Sequence, residues 1–416
     1  MKALAAGWGA LYDEGDQKWR WRMGLSVEPQ NEAVDLLRRL VQAPGLSGQE
    51  AAAAAVVEAQ MLRLGFDRVW RDEVGNVIGE RRGDLPGPRL VFEAHMDVVE
   101  MGRREDWSVD PFGAALRDGK VYGRGAADTK GSLAALITAL GSLERAQIRG
   151  SLFAVGSVGE ETLEGAGLRH ALEALQPQGV VVGEPTGCRL AMGQKGRARI
   201  VFWARGRAAH SSTPQLGENA LIKAAEIVRR VESLPLPEDA WLGRGVMAPL
   251  FIQSEPLPPL SSTLPHACQV VYDRRLVLGE TEESVLGEYR RALADVPGWE
   301  LAVEEVSFET YTGRVLRAPD FHPGWHMPPD SAWVRGAVSA LEGAGIDPRP
   351  HAVPYCTNAS TAAGEMGLPA LIFGPGDIEQ AHVPDEYLAV EDLLRGVEGY
   401  RALALGLPLA LASQGA

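Results

Sequence analysis

RLVFEAHMDVV, residues 89–99, decides how the chain is read. A strand with one wet face alternates apolar and polar residues, whereas a strand covered on both faces runs apolar without a break. Here Leu90-Val91-Phe92 runs apolar, and then His95 and Asp97 arrive together at the far end. The stretch reads as a buried strand with polar groups gathered at its carboxyl end. GSLFAVGSVGEE (150–161) repeats the pattern and ends in Glu160-Glu161, and GVVVGEPTG (179–187) ends in Glu184.

Helical patterns lie between and around these runs. EAVDLLRRLVQAP (32–44) has helical periodicity stopped by Pro44, and GQEAAAAAVVEAQMLRLGF (48–66) is an Ala-rich helix. VWRDEVGNVIGERRG reads as a hairpin around Gly75-Asn76. VYGRGAADTKGSLAALITALGSLERA (121–146) is a Gly-rich turn opening a long helix, and GAGLRHALEAL is another helix. Apolar strands alternating with helices predict an α/β fold: a mixed, mostly parallel sheet flanked by helices.

The texture changes at 196. GRARIVFWARGRAAHSS and HACQVVYDRRLVLG alternate apolar and polar residues, and each is followed by a helical pattern. The helix-and-sheet texture returns near 330 with AWVRGAVSALEGAG and ALIFGPG. Residues 196–308 therefore read as an inserted α+β unit. Residues 1–195 and 309–416 form one discontinuous domain around it. The Pro-rich stretch 234–262 reads as a loop.

Composition excludes several classes. The chain has 416 residues and a formal net charge of −14, from 41 Lys and Arg against 55 Asp and Glu. That balance opposes nucleic-acid binding, which needs clustered basic residues. Cys188, Cys268 and Cys356 are far apart and form no paired motif, as expected for a reducing cytoplasm. No apolar run is long enough for a membrane span. The N-terminus lacks signal-peptide grammar, and residues 1–25 are expected to be a loosely ordered extension, with Met23 a candidate true start.

The strand ends, the Gly-rich turn with Asp128 and the C-terminal QAHVPDE with His382 together supply two histidines and five carboxylates. In open α/β sheets the ligand crevice lies outside the carboxyl ends of the strands. So many anions share a buried place only with a cation among them. Nitrogen and oxygen donors without thiolates favour a hydrolytic zinc or manganese site, and the ligand number suggests two ions sharing a carboxylate. Each piece alone is ordinary: a surface pair, a helix start, a solvated face. Their combination, each after a buried strand or Gly-rich turn, is not.

EAHMDVV, GRGAADTKGSLAA, GSVGEET, VGEPT, GRAAHSSTP and QAHVPDE, in this order, resemble the motifs of the zinc-dependent aminoacylase, acetylornithine deacetylase, succinyl-diaminopimelate desuccinylase and glutamate carboxypeptidase family of metallohydrolases. The resemblance spans roughly residues 30–408. It implies a di-zinc exopeptidase-like domain whose inserted α+β unit is a lid that also forms a homodimer. His95 and Glu184 would hold one divalent ion, Glu161 and His382 the other, and Asp128 would bridge them. The ions would be zinc, with cobalt or manganese as alternatives. The peptide from Asp128 to Thr129 would be cis. Asp97 would accept the free ring N–H of His95, and Glu160 would be the general base for the metal-bridged water.

The resemblance also implies substrate contacts. His210 would reach into the partner subunit's site. Arg275 would bind a substrate carboxylate, which its planar fork suits. Thr357 and Asn358, in YCTNAS, would contact substrate, with a plain turn as the alternative reading. Trp325 and His326 would either line the specificity pocket or pack. Ser262 stands where relatives often have asparagine, a departure from the family's pattern. His170, His266, His322 and His351 are expected to be structural or exposed, and Lys130 to orient the helix start.

In the family that the chain resembles, deacylases and carboxypeptidases tend to have Glu at the position of Glu184, and di- and tripeptidases Asp, so the resemblance implies a small-molecule N-acyl amino acid as substrate. The expected activity is cleavage of its amide bond, of deacetylase or desuccinylase type. A dipeptidase or carboxypeptidase with the same machinery is the alternative. A non-catalytic binding protein is disfavoured by the intact Glu160.

Overall fold

The structure is a computed structural model, and it describes residues 10–13, 18–21, 27–255 and 262–412. Its main sheet runs in the order Trp325–His326, Ala191–Gln194, Ala370–Ile372, Gly179–Val182, Leu85–His95, Arg149–Ser157, Val77–Arg82, Arg68–Arg71, with His351–Val353 beside Ala191–Gln194. The four strands from Ala370–Ile372 to Arg149–Ser157 are mutually parallel, and the flanking ones are mostly antiparallel. Register puts His95 beside Ser157, and Val182 beside both Glu93 and Ile372. The carboxyl ends of all four strands therefore share one edge.

Burial explains why these strands run apolar. Leu90, Phe92 and Ala94 join a core with helices Val27–Val41, Ala51–Arg63, Lys130–Gly141, Ala332–Gly343 and Val390–Ala412. Val91 points the other way, into a core with Phe153, Val155, Val180 and helix Ala166–Leu175. Alternating side chains meet a hydrophobic layer on either face, so neither face selects polar residues.

A second, antiparallel sheet runs Val246–Glu255, Ala267–Leu276, Gly196–Arg205, Trp299–Val303. One face carries Ala198, Ile200, Phe202 and Tyr272 against helices Ala220–Val231 and Glu282–Ala292, a core of its own. Arg197 and Arg275 are cross-strand partners on the opposite face. The sheet also takes in Phe321–His322, which pairs with Arg197 and Ala198. Residue 308 falls inside strand Glu305–Glu309, which pairs with Val315–Pro319.

Two readings need correction. Residues 246–255, expected as loop, form a ten-residue edge strand with a register shift at Pro249–Phe251. Proline is tolerated at such edges because no neighbour needs its missing N–H. Residues 256–261 of that stretch lie outside the described residues. In the expected loose extension, Ala10–Asp13 pairs antiparallel with Lys18–Trp21, and the rest up to residue 26 lies outside the described residues.

Candidate active site

His95 is the last residue of strand Leu85–His95. Glu160 and Glu161 lie in the turn after Arg149–Ser157, and Glu184 follows Gly179–Val182. Asp128 precedes helix Lys130–Gly141, and its peptide to Thr129 is cis. His382 follows Ala370–Ile372 in a turn where its own φ is +63°. A histidine in that left-handed region marks a constrained position.

These side chains form two groups around one carboxylate. His95, Asp128 and Glu184 can hold one metal ion, and Asp128, Glu161 and His382 another, the ligand atoms of each group lying within 4.8 Å of one another. His95 Nε2 is 3.1 Å from Asp128 Oδ1, and His382 Nε2 is 3.3 Å from Asp128 Oδ2. His382 Nε2 is also 3.2 Å from Glu161 Oε2. Glu160 belongs to neither group, although its Oε2 is 3.9 Å from His95 Nε2.

The electrostatics fit a cation. Burial pushes the Glu160 carboxyl well above the usual range; the His95 ring opposes this, and the charges of Glu184 and Glu161 add to it. Burial and then Asp128 raise Glu184, and the same two causes raise Glu161 to about 7. Hydrogen bonds to Asp128 and Glu161 lift His382 to about 10. Burial works against ionised Asp128, but hydrogen bonds from His382 and His95 outweigh it and hold its pKa low. Divalent ions between these groups favour ionised carboxylates and neutral imidazoles. The donor set, histidine and carboxylate without thiolate, suits zinc or manganese.

Asp97 lies against the ring nitrogen of His95 as expected, but closer by its backbone than by its carboxylate. The His95 Nδ1 lies 3.0 Å from the backbone carbonyl of Asp97, and 3.5 Å from its Oδ1. The carboxylate is engaged elsewhere: it accepts from Ser47 Oγ at 2.6 Å, from Glu160 N–H at 3.2 Å and from Glu161 N–H at 3.1 Å. Asp97 thus orients the His95 ring mainly through its backbone and ties down both glutamates by its side chain. Below them Glu50, fully buried, accepts the N–H of Gly159 at 3.1 Å. Gly159 has φ +75°, and a Cβ there would meet the Phe308 ring at 1.9 Å. Only glycine fits.

A cavity of about 370 Å³ opens onto Asp128, Glu160, Glu161, Glu184 and His382. Arg275 lines it too, paired with Asp273 at 2.8 Å. Thr357 and Asn358, expected to contact substrate, are not among the cavity's lining residues. Both are buried: Thr357 Oγ1 donates to Gln194 Oε1 at 2.6 Å, and Asn358 Nδ2 donates to Glu93 Oε1 at 2.8 Å. Their neighbours Tyr355 and Cys356 face the cavity instead. Trp325 is buried in the sheet core, and half-buried His326 lies 4.0 Å from Asp239, so both pack. His210 lies in the second sheet's unit, with its Nδ1 2.7 Å from Ser212 Oγ, outside the cavity of its own chain.

Sequence reasoning missed Arg197 and Glu164, while His322, expected to be structural or exposed, is buried. Glu164, Asp320 and His322 also have metal-holding spacing. That place already has a cation, because Arg197 Nη2 lies 2.5 Å from Glu164 Oε2 and 2.8 Å from Asp320 Oδ1. Arg197 could be found only by knowing that its strand pairs in register with that of Arg275.

Among curated proteins, the uncharacterised protein YgeY of Escherichia coli strain K12 is 31% identical over 388 residues, covering 90% of this chain and 94% of its own. An acetylornithine deacetylase of Salmonella arizonae is 30% identical over 383 residues, covering 85% and 92%. Among solved structures, the Bacillus subtilis YxeP protein, a dinuclear metal-binding peptidase, superposes with a TM-score of 0.68 at 16% identity, covering 92% of this chain and 100% of that one. The model of peptidase family M20/M25/M40 matches residues 91–406, the span that holds every residue of the two ligand groups, and the chain belongs to that family of amide- and peptide-bond hydrolases.

Proposed function

We propose that the protein is a two-metal hydrolase that removes the acyl group from an N-acyl amino acid. One observation carries this reading: two ligand groups share Asp128 in a single cavity that also presents Glu160 and Arg275. Bound divalent ions, zinc by preference, would polarise the scissile carbonyl and acidify the attacking water. His95, Asp128 and Glu184 would hold one ion, and Asp128, Glu161 and His382 the other.

Glu160, beside the ligands but not among them, takes a proton from the water as its oxygen attacks the carbonyl carbon. It returns that proton to the nitrogen as the C–N bond breaks, leaving a carboxylic acid and an amine. Asp97, by holding the Glu160 and Glu161 backbones together, keeps base and ligand in register. Arg275 receives the substrate carboxylate.

Residues 196–308 act as lid and dimerisation unit in this reading, and His210 enters the site of a second copy. Support comes from the exposed apolar residues Leu250, Phe251 and Ile252 on edge strand Val246–Glu255, with Ile222 exposed on the adjacent helix. An exposed edge of this kind is suited to pairing. The three free cysteines suit the cytoplasm, and among the described residues no helix is long and apolar enough to cross a membrane.

The test is a hydrolysis screen with zinc, manganese or cobalt over acetyl-ornithine, succinyl-diaminopimelate, acetyl-methionine and simple dipeptides. Turnover of acylated amino acids is expected. Turnover of dipeptides alone would replace this reading with the peptidase one. For the dimer, chains with His210→Ala are mixed with chains carrying Glu160→Ala. Partial activity is expected in the heterodimer, and none in verified heterodimers would count against His210 acting across subunits.

A further inference from the structure

QAHVPDE supplies His382, but its final residue does more than end the motif. Glu386 is fully buried, and its carboxylate accepts four hydrogen bonds from one short turn. Oε1 accepts from the backbone N–H of Ala127 at 2.8 Å and of Asp128 at 3.1 Å. Oε2 accepts from the N–H of Gly125 at 3.0 Å and from Arg124 Nη1 at 2.7 Å. The Glu386 backbone carbonyl accepts a fifth, from Gly123 N–H at 2.9 Å. Arg124 is itself buried and lies over the Trp107 ring, 5.2 Å from its centroid.

We infer that Glu386 is a positioning residue for the metal centre: it fixes the Gly-rich turn 123–128 so that the Asp128 carboxylate faces both ligand groups at once. The inference rests on the two-metal reading above. The turn has few means of its own to keep its shape. Gly123 and Gly125 both have positive φ, which leaves the free turn many conformations. Its N–H groups are buried and need an acceptor, and a single carboxylate supplies it for three of them. Because Asp128 belongs to both groups, any rotation of the turn disturbs both. Glu386 also lies four residues beyond His382, so one short segment provides a ligand and the anchor of the shared ligand.

Glu386→Gln keeps size and shape but turns one acceptor oxygen into an NH₂ group. That NH₂ must face N–H donors whichever way the amide is flipped. The test is cobalt(II) titration of metal-free protein, read by visible absorption and by metal content. Wild type is expected to take up two ions. Glu386→Gln is expected to bind at least one ion tenfold or more weakly, with an altered cobalt spectrum and unchanged far-UV circular dichroism.

Leu341→Ala, in the core of helix Ala332–Gly343, is the control for destabilisation alone. It should lower Tm yet bind two ions with the wild-type spectrum. If Glu386→Gln does not fold, Glu386→Asp replaces it; the shortened carboxylate cannot reach all four donors, and the same weakening is expected. Two ions bound with wild-type affinity and spectrum by the folded variant would overturn the inference alone. Fewer than one ion on the wild type would overturn the two-metal reading beneath it.

Discussion

Strands Leu85–His95 and Val246–Glu255 are nearly the same length, and they could hardly differ more in what surrounds them. The first is buried along its second half, on both faces, and delivers His95 to the ligand edge. The second is an edge strand exposed at most positions, with a proline near its middle. Burial on two faces leaves a long apolar run, whereas an exposed edge leaves little pattern. The first strand serves chemistry inside one chain, and the second presents an apolar surface to the outside.

The largest effect should come from the ligand edge. Glu160→Ala is expected to lower kcat by about 10²–10⁴-fold, as for loss of a general base, while metal content stays near wild type. Loss of metal with activity would instead make Glu160 a ligand and erase the split between it and Glu161.

The contrast itself is tested by two alanine substitutions. Phe92→Ala, in the doubly covered strand, should cost about 3–5 kcal/mol in chemical denaturation. Phe251→Ala, on the exposed edge, should cost a monomer less than about 0.5 kcal/mol and should weaken association measured by sedimentation. Equal losses of fold stability at both positions would remove the distinction.

The smallest effect concerns the floor of the site. Burial, and then the charge of Asp97, raise Glu50 from 4.5 to about 7. Its neutral form is therefore favoured in the folded state. That contribution is fully present below the unfolded value and fades as pH rises through about 7. In metal-free protein, Glu50→Gln should gain stability over wild type progressively between pH 4.5 and 7, and the difference should then level off. A pH-independent difference would mean that Glu50 is already charged when folded.

These strands also show what the sequence could tell. His95, Glu161 and Glu184 were legible because each follows an apolar run, and in a parallel sheet such runs end on one edge. The grouping of His95 with Glu184, and of Glu161 with His382, came from resemblance, and the geometry groups them in the same way. Val246–Glu255 was not legible, because exposure removes the alternation that marks a strand. The direction of the Thr357 and Asn358 side chains was not legible, because loop position says nothing of it; they point inward to Gln194 and Glu93. Asp97 was assigned to one bond, whereas its carboxylate serves three others that depend on where residues 47 and 160–161 fold. Glu386 stood in a recognised motif, yet its work is on a turn about 260 positions away.

Metal content of the purified wild-type protein and of Asp128→Ala tests the shared-carboxylate centre most directly. After zinc loading and removal of free metal, wild type should retain close to two ions per chain. Asp128→Ala, having lost the carboxylate common to both groups, should retain well under one. Fewer than one ion on wild type, or two on Asp128→Ala, would contradict a centre built around Asp128.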